Sequence, residues 1–173
     1  MIKFYPTKLL LIFSIAALAA CNQARKNTPV IVNNKMNDIE RLLNSTLPFV
    51  ESLLKKHGEF FPLASAVETN DSITSVSTYD GDEHPESENV IADLKKVLMD
   101  GATKNDYKAI AIFYDVKVID PNTSQKTDAI AVFVESKSDT TAFTLFYPYT
   151  LKNKELELGK SWKSLAERKV FVN

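Results

Sequence analysis

The densest run of groups able to bind a metal or move a proton is Tyr79-Asp80-Gly81-Asp82-Glu83-His84-Pro85-Glu86-Ser87-Glu88, with five carboxylates and one imidazole within nine residues. Asp80, Asp82, Glu83 and His84 offer oxygen ligands to calcium, or a mixed oxygen and nitrogen set to a transition metal. With an ion in place they could support metal-assisted hydrolysis. The run lacks the spaced aspartates, the sixth-position glycine and the twelfth-position glutamate of a calcium loop. A plainer reading covers the same residues. Acids near a helix N-terminus favour the macrodipole, proline suits a first helical turn, and Asp-Gly makes a bend. The plainer reading is the expectation here.

Nucleophilic chemistry is poorly supplied. The chain has two histidines, His57 and His84, and one cysteine, Cys21. No glycine-flanked serine elbow, His-Glu-x-x-His helix, phosphate-cradling loop or dinucleotide fingerprint is present. His57 follows Lys55 and Lys56 at the end of a helical pattern, where a cation suits the C-terminal dipole. No catalytic residue and no cofactor is assigned. Asp115 lies in the apolar run Ile112-Phe113-Tyr114-Asp115-Val116 and would need a partner if buried. Its phase matches Lys117, so an outward position toward the strand end is expected. Phe143, Phe146, Tyr147 and Tyr149 gather around Pro148. Core packing is the plainer reading of these aromatics. Tyr147, Tyr149 and Phe146 are also the candidate ligand or interface residues.

These side chains are positioned by a regular succession of elements. Met36, Ile39, Leu42, Leu43, Leu47, Val50, Leu53 and Leu54 recur at three and four, an amphipathic helix. Pro48 must kink it, or Ser45 or Thr46 caps a second helix with proline in its first turn. Gly58 closes it. Two strands are expected at Phe60–Val67 and Ile73–Tyr79, joined by a polar loop. A second helix after Pro85 carries the stripe Val90, Ile91, Leu94, Val97 and Leu98 and ends at Gly101. Long β-rich runs follow at Tyr107–Ile119, Thr127–Lys137 and Thr140–Tyr147, the last ended by Pro148. The first of these is apolar on both faces at its start, as in a strand covered on two sides. The tail carries a short helix around Trp162 and Leu165 and closes on Val170-Phe171-Val172. The result is an α+β single domain with an antiparallel sheet of about five strands and helices packed on it. In the order of its elements it resembles the roadblock and profilin-like arrangement.

The N-terminus reads differently. Met1 to Lys8 carries two lysines and no acid, and Leu9 to Ala20 is apolar apart from Ser14, the n- and h-regions of a secretory signal. A spanning helix needs about 20 apolar residues, more than this run supplies. Leu18-Ala19-Ala20-Cys21 resembles the lipobox of bacterial lipoproteins. The resemblance implies cleavage before Cys21, a diacylglyceryl thioether on its sulfur and a further acyl chain on its amino group. It would also withdraw the only thiol from catalysis and from any disulfide. Asn22, not aspartate, follows the cysteine, which by the same resemblance points to the outer membrane facing the periplasm.

Residues 21–35 read as the lipidated cysteine and a tether, within which Val30-Ile31-Val32 is an apolar interruption able to dock as a short edge strand. Residues 36–173 form the globular domain. Of the 173 residues 45% are hydrophobic and 25% charged, the balance of a folded globular chain. Without residues 1–20, 19 basic side chains face 22 acidic ones, which argues against a nucleic-acid binder. The expected function is a lipid-anchored, non-catalytic binding module of the cell envelope with a protein partner, of which an inhibitor or immunity protein is one form. The alternatives are a metal-assisted envelope hydrolase using the Asp80–His84 loop and a structural envelope lipoprotein.

Overall fold

A computed structural model describes residues 36–78, 81 and 85–172. The signal and lipobox residues, the tether with Val30–Val32, and Asp80, Asp82, Glu83 and His84 of the acidic run lie outside the described residues. Helix α1 spans Asp38–His57 and helix α2 Ser87–Thr103. The strands are β1 Leu63–Glu68, β2 Ile73–Val76, β3 Tyr107–Ile119, β4 Lys126–Ser136, β5 Ala142–Lys152, β6 Glu155–Leu158 and β7 Trp162–Ala166. They form one antiparallel sheet in the order β2-β1-β3-β4-β5, and β5 carries both β6 and β7 on its outer side. The described residues form a single α+β domain with helices α1 and α2 on opposite faces of the sheet.

Helix α1 starts at a capping box. The Asn37 side chain accepts from the Glu40 amide at 2.8 Å, and the Glu40 carboxylate accepts from the Asn37 amide at 3.1 Å. The helix runs unbroken through Pro48, without the restart at Ser45 or Thr46 that the sequence allows. Thr46 faces the sheet instead and bonds Ser65 of β1 at 3.0 Å, both groups being buried. Gly58 ends the helix in the left-handed region, φ 85°, with Lys55, Lys56 and His57 in the last turn.

Helix α2 departs from expectation at its end, since Gly101 lies inside the helix. The reason is steric. A Cβ at position 101 would stand 2.2 Å from the ring of Tyr107, so glycine lets α2 and the start of β3 approach closely.

Strand β3 is the centre of the domain. Ala109, Ala111 and Phe113 point to the α1 side, and Ile110 and Ile112 to the α2 side; all five are fully buried. The expectation of a central strand covered on both faces therefore holds. On the α1 side Phe113, Ile130 and Val132 pack beneath Leu42, Val50 and Leu54. On the α2 side Ile110, Ile112 and Phe133 pack with Leu94, Leu98, Val170 and Phe171.

The tail differs most from the sequence reading. Pro148 does not end the third β run, because β5 continues to Lys152. Proline is accommodated where the outer neighbour changes from β7, which ends its pairing at Phe146↔Trp162, to β6, which begins at Tyr149↔Leu158. The Pro148 carbonyl still accepts from the Gly159 amide, at 2.7 Å. The helix expected around Trp162 and Leu165 is strand β7. Their spacing of three mimics a helical face, but in the strand Trp162 stacks on Phe146, with centroids 5.2 Å apart, on the α2 side. Leu165 pairs with Phe143 on the α1 side. The five expected strands thus gain two more on the β5 edge.

Candidate functional site

Strand β5 sets four residues, Phe143, Leu145, Tyr147 and Tyr149, along the α1 side of the sheet, all half-buried against the α1 core. Alternation sends Phe146 through to the other side, where it stacks on Trp162. Of the three aromatics expected at an interface, Tyr147 and Tyr149 therefore share a surface and Phe146 does not join them.

The polar end of this stripe is built around Asp115. Its carboxylate does not point freely outward. It is half-buried and receives the Tyr149 hydroxyl, which lies 3.0 Å from Oδ1 and 3.1 Å from Oδ2. The bond links β3 to β5 diagonally across the intervening β4, since Asp115 is in register with Ile130 and Tyr149 with Asp128. Alternation puts Asp115 in phase with Lys117 as expected, but only Lys117 reaches the exposed end, where it pairs with Asp128 at 3.3 Å.

Burial raises the proton affinity of Asp115 above the ordinary carboxylate range. The Tyr149 bond opposes this, and the negative charges of Asp128 and Glu59 add to the rise. The same burial, with the Asp115 charge beside it, pushes the Tyr149 phenol well above its usual value, so it remains a donor at any physiological pH. Tyr149 also walls a pocket of about 340 Å³ with Gly58, Lys126, Thr127, Asp128, Thr150 and Leu151. The pocket therefore lies between the end of α1 and the end of β5.

Chemically the pair is a fixed phenol donor on a carboxylate whose charge is only partly compensated. It can attract a cationic group or hold a proton. Among the described residues no three His, Cys, Asp or Glu side chains converge on a common point as a metal site would require. The four residues of the acidic run considered as metal ligands lie outside the described residues. No described helix is long and apolar enough to cross a membrane.

A second polar centre was not anticipated from the sequence. Glu135 of β4 is 1% exposed, on the α2 side of the sheet. Its carboxylate accepts from the amides of Lys169, Val170 and Phe171 at 2.9, 2.9 and 2.8 Å, and Arg168 Nε stands 3.3 Å away. Arg168 in turn donates to the Phe171 carbonyl at 2.7 Å. This centre fastens the C-terminal segment over the core. The available signal was Glu135 itself, a lone acid closing the apolar run Ala129–Val134.

Comparison with known proteins finds no matching family model, no matching curated protein and no matching solved structure.

Proposed function

We propose that this protein is a lipid-anchored, non-catalytic binding module of the bacterial cell envelope, whose protein partner docks at the Tyr149 end of β5. Cys21 carries the lipid and holds the domain at the outer membrane facing the periplasm. The observation that supports the docking site is the Tyr149–Asp115 pair beside an open pocket. The Asp115 carboxylate is half-buried, bonds the neutral Tyr149 hydroxyl and the Val116 amide, and has Asp128 and Glu59 as charged neighbours. Lys117, the cation in phase with Asp115 on β3, pairs with Asp128. A lysine or arginine side chain brought by a partner would relieve that imbalance through a charge-assisted hydrogen bond. Tyr147 and Tyr149 would supply rigid amphipathic contact area around it. An inhibitor or immunity protein is one form such a module takes.

The test has two arms. Labelled palmitate should enter the wild-type chain and not Cys21→Ala, and loss of Cys21 should release the protein from the membrane. A photoreactive residue at Thr150 should trap one defined envelope protein, and Asp115→Asn should reduce that trapping by about tenfold, the worth of one charged contact. Trapping that is unchanged in Asp115→Asn overturns the docking site. Membrane retention of Cys21→Ala overturns the anchor.

A further inference from the structure

Alternation lays Tyr114 of β3, Phe133 of β4 and Thr144 of β5 on the α2 side of the sheet. Helix α2 packs on β1 and β3, and the segment behind β7 is fastened at Glu135. Between the two lies a cavity of about 350 Å³, walled by Ile91 and Lys95 of α2 on one side and by Ala166, Glu167 and Lys169 on the other. Its volume falls at the small end of ligand pockets. Phe133, Ile91 and Ala166 make its lining apolar, whereas its charge is positive. Lys95 Nζ stands 5.5 Å from the centre of the Phe133 ring and, among the described residues, pairs with no carboxylate. Lys169 pairs with Glu167 at 2.6 Å, which leaves two of its three ammonium donors. Two lysines therefore share one carboxylate. Tyr114 and Thr144 add two neighbouring hydroxyls, each able to donate to an anion.

We propose that this cavity binds a small organic carboxylate with an apolar body, its charged end between Lys95 and Lys169 and its body against Phe133 and Ile91. A single negative charge cancels the single unpaired positive charge of the wall. A doubly charged phosphate overshoots that balance and leaves the apolar lining uncovered, and an ammonium-bearing ligand meets Lys95 as a like charge. An ammonium donor on a carboxylate forms a bond about twice as strong as a neutral one, so the charged end sets the orientation. Both lysines are held before any ligand arrives, which lowers the ordering cost of binding. Lys95 rests on the Phe133 ring, and Glu135 accepts from the Lys169 amide at 2.9 Å. The cavity lies on the opposite face of the sheet from Tyr149, so the inference goes beyond the partner site and does not depend on it.

Titration of the full chain followed by backbone-amide NMR is the direct test, with phenylacetate, phenethyl alcohol and phenethylammonium as ligands of one shape and three charges. Phenylacetate is expected to shift the amides of Ile91, Lys95, Phe133 and Thr144 saturably, with a Kd of about 1 mM or tighter. The alcohol and the ammonium should bind at least about tenfold more weakly, the worth of one charged contact. Acetate and inorganic phosphate, which cover no apolar lining, should also bind more weakly than phenylacetate. Lys95→Met should weaken phenylacetate about tenfold, whereas Lys96→Met, the neighbour paired with Asp93, should leave it unchanged. The comparison of ligands uses the wild-type chain alone and decides the charge preference whatever the variants do. Absence of saturable shifts at these residues, equal binding of the alcohol, or unchanged affinity in Lys95→Met overturns the proposal. Tighter binding of phosphate also overturns it and assigns the cavity to an inorganic anion.

Discussion

At the scale of single residues, Asp115 and Glu135 are two carboxylates of the sheet with different donors. Burial raises the proton affinity of Asp115, its acidic neighbours Asp128 and Glu59 add to the rise, and the Tyr149 phenol opposes it. A carboxyl whose folded value lies above its unfolded one contributes stability that is complete below the unfolded value. That contribution is lost as the pH rises through the folded value. Wild-type protein is therefore expected to lose stability relative to Asp115→Asn as the pH rises from the ordinary aspartate value through the raised folded one, and the Asp115→Asn profile lacks that decline. Urea midpoints measured at intervals from pH 3 to 8 check this; parallel profiles refute it. Glu135 has three backbone amides and a guanidinium. In Glu135→Gln one carboxylate oxygen becomes an NH₂ group facing amide donors. The expected loss is about 2–4 kcal/mol, together with faster proteolysis behind Arg168. Denaturant titration and limited trypsinolysis would show both effects.

At the scale of elements, close approach overrides propensity. Gly101→Ala improves the intrinsic helix preference of α2 by up to about 1 kcal/mol. It also drives a methyl group into the Tyr107 ring. The net effect is expected to be destabilising by about 1–3 kcal/mol, and Tyr107→Val should recover most of the loss. Thermal melts of the single and double variants decide it, and a Gly101→Ala protein as stable as wild type would remove this account of the glycine. The β5–β6 hairpin shows the converse case, a turn that the sequence reading did not anticipate. Asn153 and Lys154 form a two-residue loop with φ 52° and 67°, and no glycine marks it. The spacing of Trp162 and Leu165 fits a helix as well as a strand, and only pairing with β5 selects the strand.

At the scale of the whole molecule, one sheet divides the core into two layers that share β3. Phe113 belongs to the α1 layer and Leu94 to the α2 layer, and both are fully buried. Because β3 joins the layers rigidly, Phe113→Ala and Leu94→Ala are each expected to lower stability by about 3–5 kcal/mol. Both should do so without splitting the unfolding transition. Calorimetry tests this: two resolved transitions in either variant would show that the layers unfold independently.

What the sequence determined by itself is everything set by local period and local chemistry. The two helices follow from apolar residues at three and four, the left-handed cap at Gly58 from residue type, and the doubly buried start of β3 from apolar residues in both phases. The lipobox resemblance at Cys21 is also local and lies in sequence alone. Only the tertiary structure decided what depends on partners distant in the chain. Asp115 reads as outward from its phase with Lys117 until Tyr149, two strands away, arrives above it. Glu135 reads as a strand-end acid until residues 168–171 fold over it. The tail becomes β6 and β7 because the outer edge of β5 offers backbone groups that a helix would leave unpaired. Period and propensity are properties of neighbours in sequence. Burial and hydrogen-bond satisfaction belong to neighbours in space, and they place the candidate site.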